Sequence, residues 1–209
     1  STFGRKVLNL YREPHYHYSV DLLSQPDNTY LDGYFQSEKY FAHIREDLLA
    51  DFSWAKPAVG KNKKLLEVIA RDENSVSIHV RRGDYASSKA VQKILCLLDV
   101  EYYQRAFSEI EMKVKKPDYY VFSNDFEWVR QQFGDRRNMT FVDWNNEQRG
   151  FEDMHLMSLC KHSIIANSSF SYWSALLNKQ QGIVIAPQKW FVNMTGNTAA
   201  RFPSSWNLQ

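Results

Sequence analysis

Between His79 and Tyr85 the chain reads His-Val-Arg-Arg-Gly-Asp-Tyr, which packs a histidine, two arginines and a carboxylate into one short run. If the run leaves a strand, alternation puts His79 and Arg81 on one face and Val80 and Arg82 on the other. Gly83 then lets the chain turn, and Asp84 can orient an arginine. A guanidinium presents a rigid, planar donor fork, which suits a phosphate or diphosphate. The same residues also fit a strand-edge salt-bridge cluster around a core histidine, and their types alone leave both readings open. His79 can donate to a diphosphate or transfer a proton, but a lone histidine establishes neither.

Two further sets carry chemistry. Asn167-Ser168-Ser169 directly precedes Phe170-Ser171-Tyr172-Trp173. Serine hydroxyls with helix-start amides hold an anion well, and serines at that position equally serve as ordinary caps. Asp153, in Phe151-Glu152-Asp153-Met154, can accept the paired N–H donors of a guanine edge or act as a first-turn carboxylate. Asp125 has the same ambiguity, with capping the simpler reading.

Other chemistries find little support. There is no G-x-G-x-x-G fingerprint, no G-x-x-x-x-G-K-[ST] loop, no D-x-D pair and no G-x-S-x-G elbow. Glu152-x-x-His155 and His15-x-His17 are too short and isolated to predict a metal site. The balance of 26 Lys plus Arg against 24 Asp plus Glu gives +2, so nucleic acid is not an expected partner. Lys113-Lys115-Lys116 and Arg136-Arg137 read as solvated surface. Cys96 and Cys160 make no C-x-x-C pair and are expected as reduced thiols. N-x-[ST] triplets begin at Asn138, Asn167 and Asn193, of which Asn167 sits inside the candidate ligand loop.

These residues need elements to bring them together. Across 209 residues, 44% hydrophobic and 24% charged residues exclude a wholly disordered, collagenous or membrane-spanning chain. Apolar runs predict strands at 76–80, 119–122, 139–142, 163–166 and 182–186. Between and around them, helical spacing predicts helices at 65–71, 100–114, 125–133, 151–162 and 170–178. Such alternation predicts an α/β chain with a parallel sheet. Ligands of open parallel sheets collect beyond the strands' carboxyl ends, where 79–85, 123–125, 143–146 and 167–169 would all meet. Upstream, 30–35 suits a short strand and turn, 37–49 a helix, and 58–64 a linker. The tail from Lys189 onward reads as loop. Aromatic residues are 15% of the chain, enough both to line a sugar or base site and to fill a core.

In combination, the ordered motifs resemble the inverting fucosyltransferases, most closely the bacterial-type alpha-1,2-fucosyltransferases. His79 to Tyr85 is similar to their H-x-R-R-x-D motif, and similar runs are Gly33–Phe41, Tyr120–Asp125, Glu152–His162 and Ile165–Trp173. The resemblance covers about residues 30 to 190. It implies a GT-B-like enzyme whose Rossmann-like parallel sheet forms the donor-binding half. L-fucose would pass with inversion from GDP-L-fucose to a galactoside hydroxyl, forming an alpha-1,2 linkage without a metal or other cofactor. Arg81 is the implied β-phosphate ligand, Arg81 and His79 are the implied catalytic residues, and His79 and Asp84 support the donor site. Asp153 is implied in guanine recognition, Ser168 and Ser169 in phosphate contact, and Phe170 in shaping the base or sugar pocket.

The implied organisation is a partial acceptor-side lobe or flanking segment at 1–60, a GDP-sugar-binding domain at 61–190 and a C-terminal return segment at 191–209. Family members usually carry a Gly-Asn-Gln-like motif and more of the acceptor-side lobe upstream of the point where this sequence starts. Two alternatives follow: a noncatalytic sugar-nucleotide-binding fragment or module, and a transferase using a different nucleotide sugar. By resemblance the expected location is cytoplasmic, at the inner face of a bacterial membrane, with any peripheral membrane association supplied by sequence not present here. A secretory-pathway parent is the competing expectation.

Overall fold

The computed structural model describes residues 9–15, 17–54, 56–193 and 198–209. The chain forms two compact units, residues 1–50 with 195–204 and residues 51–194 with 205–209. These divisions fall at other points than the 60/61 and 190/191 boundaries read from sequence.

In the first unit, β1 (Asn9–Arg12) and β2 (Thr29–Asp32) pair in parallel with Asn9 opposite Thr29. Gly33 follows β2 because a Cβ there would lie 2.4 Å from that of Glu13. That close approach lets the Glu13 carboxylate accept from the amides of Tyr34 and Phe35, at 2.8 and 3.1 Å. The helix expected at 37–49 is not continuous. It breaks into 3-10 turns at Glu38–Tyr40 and Ala42–Ile44, followed by α1 (Arg45–Asp51). Phe41, at φ −133°, lies outside helical geometry and interrupts the series. Ser37 is drawn out of the series too, since its hydroxyl donates to the Ala200 carbonyl at 2.8 Å.

The second unit carries the α/β fold. Its elements are α2 (Gly60–Ile69), β3 (Ser75–Val80), α3 (Gly83–Ser87), α4 (Lys89–Gln92), α5 (Val100–Lys113), β4 (Asp118–Ser123), α6 (Phe126–Phe133), β5 (Met139–Phe141), α7 (Gly150–Leu159), β6 (His162–Ile164), α8 (Ser169–Leu176), β7 (Val184–Ala186) and β8 (Asn207–Leu208). The six strands lie in the order β5-β4-β3-β6-β7-β8, and every pairing is parallel. This is the Rossmann-like sheet that the alternation predicts, with one strand more.

Two expectations change. Residues expected as a linker at 58–64 largely enter α2, because Asn62, Leu65 and Ile69 repeat at helical spacing and are buried. The tail is not all loop, since β8 adds to β7 with Ile185 opposite Asn207.

Helices cover both faces of the sheet. On one, Val76, Ile78, Val80 and Val121 pack against Tyr103, Phe107 and Ile110 of α5 and Val129 and Phe133 of α6. Phe107 and Phe133 meet edge-on at 5.3 Å, as do Tyr103 and Phe133 at 5.6 Å, so part of the aromatic content serves this core. On the other face, Tyr120, Phe122 and Val142 meet Leu65 and Ile69 of α2 and Leu156 and Met157 of α7. Burial on both sides explains why β3, Ser-Val-Ser-Ile-His-Val, is buried at every position. Among the described residues no helix is long and apolar enough to cross a membrane.

Candidate donor-binding site

Strand order reverses at β3, whose chain neighbours β4 and β5 lie to one side and β6, β7 and β8 to the other. At such a reversal the loops beyond the strand ends diverge and open a crevice. A cleft of about 620 Å³ lies there, and His79, Arg81, Phe122, Asn124, Asn145, Asp153 and Phe170 are among its lining residues.

Alternation settles the two arginines. Arg81 shares the cleft with His79, whereas Arg82 turns to the other side of the sheet. There its guanidinium stacks 4.2 Å above the Trp128 ring and donates to the Leu98 carbonyl at 3.0 Å. Arg81 remains half-exposed and donates to Asp84 Oδ2 at 2.9 Å. Burial pushes the Asp84 carboxyl up, but the Arg81 contacts and the Asn124 hydrogen bond outweigh it and leave Asp84 below its ordinary range. Asp84 is not among the cleft-lining residues; it reaches the site through Arg81.

Asn124 shapes this corner. Its Oδ1 accepts from the amides of Arg82 at 2.9 Å and Gly83 at 3.1 Å, while its Nδ2 donates to Asp84 Oδ1 at 3.0 Å. Gly83 suits that embrace, since a Cβ would sit tightly, 3.0 Å from Asn124 Nδ2 and 3.1 Å from its carbonyl oxygen.

His79 is only 5% exposed, and its ring lies 5.4 Å from that of Phe170. Burial, reinforced by the nearby Arg81 charge, lowers its pKa to about 3, so the imidazole is neutral at pH 7. It brings a neutral hydrogen-bonding group to the cleft, not a cation.

Asp153, in the first turn of α7, accepts from Asn145 Nδ2 at 2.6 Å. Burial raises its pKa; the Asn145 hydrogen bond pulls it back, the Glu152 charge raises it again, and the result is about 6. A carboxylate so placed favours a partner that offers N–H donors and restores its charge. In the same cleft, Arg81 favours an anion.

Ser168 and Ser169 stand apart from this set. Neither is among the cleft-lining residues, and the Ser168 side chain makes no capping bond to α8. Asp125 does cap α6, accepting from the Trp128 amide at 3.1 Å. Asn167 is fully buried and donates to the Cys96 and Trp190 carbonyls at 2.7 and 3.0 Å, which leaves its triplet unavailable for glycan attachment in the folded chain.

Reading motifs alone overlooks Asn62, Asn124 and Asn145. Asn124 and Asn145 follow strand ends and fall under the strand-end rule, but nothing in their spacing singles them out. Asn62 lies in a stretch whose composition reads as linker and carries no local signal.

A model of glycosyl transferase family 11 matches residues 10–208. The alpha-1,2-colitosyltransferase of Escherichia coli is 36% identical over 179 residues, covering 83% of this chain and 60% of that protein. The O-antigen biosynthesis glycosyltransferase WbnK of Escherichia coli is 37% identical over 142 residues, covering 67% of this chain and 46% of that protein. Galactoside alpha-(1,2)-fucosyltransferase 2 of Bos taurus is 26% identical over 161 residues, covering 75% of this chain and 47% of that protein. The chain thus spans about half to three-fifths of the length of these relatives. With a family match running almost end to end and the parallel sheet such motifs predict, the chain belongs to glycosyl transferase family 11.

Proposed function

We propose that the six-stranded unit binds GDP-L-fucose, and that the protein transfers L-fucose with inversion to a galactoside hydroxyl to form an alpha-1,2 linkage. One observation carries this reading: Arg81 and Asp153, distant in sequence, line the same cleft beyond the sheet's strand ends. An arginine fork for a diphosphate and a carboxylate for a guanine edge are the two ends of one nucleotide. The names of the relatives supply the linkage and the galactoside.

In this reading the acceptor hydroxyl attacks the fucose anomeric carbon from the face opposite GDP, forming one C–O bond as the bond to the β-phosphate oxygen breaks and releasing the hydroxyl proton to solvent. Arg81 meets the charge that develops on the departing diphosphate, so catalysis is placement plus electrostatic stabilisation without a divalent metal. Asp84 holds the guanidinium in place, and neutral His79 offers a hydrogen bond beside it. Phe170 packs against that imidazole and gives the pocket an apolar wall, while Ser168 and Ser169 contact the phosphates only through a rearrangement of their loop. The reading carries with it a cytoplasmic reaction at the inner face of a bacterial membrane.

Calorimetric titration with GDP, GDP-fucose, UDP-galactose and RNA, followed by transfer assays on β-galactosides with and without EDTA, tests this reading. GDP-selective binding that Arg81→Ala and Asp153→Ala each abolish is the expected result. Equal or absent binding across the nucleotides would refute it, and binding without transfer would favour a sugar-nucleotide-binding module. A colitosyl donor is the second reading, favoured by the name of the 36% identical relative, and GDP-colitose belongs in the same titration.

A further inference from the structure

Behind Asp153 lies a closed amide network that the reaction scheme does not use. Asn62 of α2 is 2% exposed. Its Oδ1 accepts from Trp144 Nε1 at 2.6 Å and from Asn145 Nδ2 at 3.2 Å. Its Nδ2 donates to Asn145 Oδ1 at 2.9 Å and to Glu152 Oε2. The two carboxamides thus bond reciprocally, and each has one N–H left over. That of Asn62 goes to Glu152 and that of Asn145 to Asp153, so two adjacent carboxylates of α7 are each tied to one member of the pair.

Polarity runs one way through this network. Turning the Asn62 amide over would set its oxygen against the Glu152 carboxylate and its NH2 against the Trp144 N–H, which has only a proton to give. Arg149 strengthens that constraint by gripping both Glu152 oxygens, at 2.6 and 2.8 Å. With Asn62 fixed, Asn145 must show its own NH2 to Asp153, because the reverse would bring carbonyl oxygen against carboxylate. Asp153 Oδ1 is therefore held from behind, and Oδ2 keeps no protein partner among the described residues.

We propose that Asn62, acting through Asn145, is a positioning residue that sets Asp153 for a purine carrying a 2-amino group, so that the amide pair fixes base selectivity. The proposal rests on the nucleotide reading above. Guanine offers N1–H and the 2-amino N–H to a carboxylate, and hypoxanthine offers only N1–H. Discrimination between them depends on the angle at which the carboxylate is held, whereas binding of the diphosphate does not.

The experiment is titration of the full chain with GDP, IDP and inorganic pyrophosphate, in wild type, Asp153→Asn, Asn62→Ala and Asn145→Ala. Wild type binds GDP more tightly than IDP, and Asp153→Asn removes that preference. Asn62→Ala and Asn145→Ala each lower the GDP-to-IDP affinity ratio by about fivefold, the worth of one hydrogen bond, and leave pyrophosphate affinity unchanged. Asn145, half-buried in the cleft lining, decides the matter if Asn62→Ala does not fold. A ratio unchanged in the amide variants, with Asp153→Asn still abolishing the preference, would overturn the positioning role and leave the base reading standing. No GDP preference in wild type would remove the base reading and the positioning role together.

Discussion

Arg81 and Arg82 are neighbours in sequence and serve opposite faces of one sheet, so the same substitution has different consequences at each. Arg81→Lys keeps a charge but loses the planar fork; GDP affinity falls about tenfold, while thermal stability holds. Arg82→Lys loses its stack on Trp128 and its bond to Leu98, so the melting temperature falls and GDP affinity holds. Differential scanning calorimetry alongside titration separates the two. Asp153 sets a pH dependence. Its folded-state pKa is raised from 3.8 to about 6, so the folded chain binds the proton more tightly than the unfolded one. The carboxyl's contribution to stability is present below pH 3.8 and is lost as pH rises toward 6. Asp153→Asn is therefore more stable to urea than wild type at pH 7, and the gap closes below about pH 4. Conversely, GDP-fucose affinity in wild type rises as pH climbs through about 6 and stays flat in Asp153→Asn, because the sugar-capped diphosphate lacks the terminal-phosphate ionisation that GDP has near 6 and His79, near 3, is silent in that window. The shared face of His79 and Arg81 was legible because strand parity and strand ends are written in the residues themselves, whereas Asp153, in the first turn of α7, was singled out by the family resemblance. Asn62 was not, because a buried asparagine on a lysine-rich helix has the same composition as an exposed one.

Among the elements, the corner after β3 is the most demanding. Asn124 satisfies two amides and a carboxylate there, so Asn124→Ala leaves the Arg82 and Gly83 amides without their acceptor and frees Asp84. A destabilisation of about 1–3 kcal/mol, read from the urea midpoint, is expected together with weaker GDP binding. Gly83→Ala crowds the same contact, and a smaller loss than that of Asn124→Ala is expected, since Asn124 has only a few tenths of an ångström to give. Strands β3 to β7 were readable because buried parallel strands are short apolar runs that need no partner to be recognised. The helix at 37–49 misled because its apolar spacing is genuine, while Ser37 and Phe41 answer to tertiary contacts and backbone geometry that no spacing records. β8 escaped because two residues carry no periodicity, and only the open edge of β7 makes them a strand.

For the molecule as a whole, that last strand matters more than its length suggests. Removing residues 205–209 takes away the β7–β8 pairing, the Gln209 amide bond to Ala186 at 3.0 Å and the Trp206 ring 5.2 Å from Tyr172. Loss of about 2–4 kcal/mol from the six-stranded unit is expected, measured by chemical unfolding with tryptophan emission. The near-balance of charge across the chain conceals how unevenly it is used, since Arg81 and three carboxylates, Asp143, Glu147 and Asp153, line the one cleft. The graded strand lengths have a further consequence. The six-residue strands β3 and β4 lie inside the sheet, and the strands at its rims, β5 and β8, have three and two residues. Long unpaired rows of amides and carbonyls are what recruit foreign strands and seed aggregates. This sheet keeps its long rows inside, so crowding the protein gives neighbouring copies little edge on which to extend it.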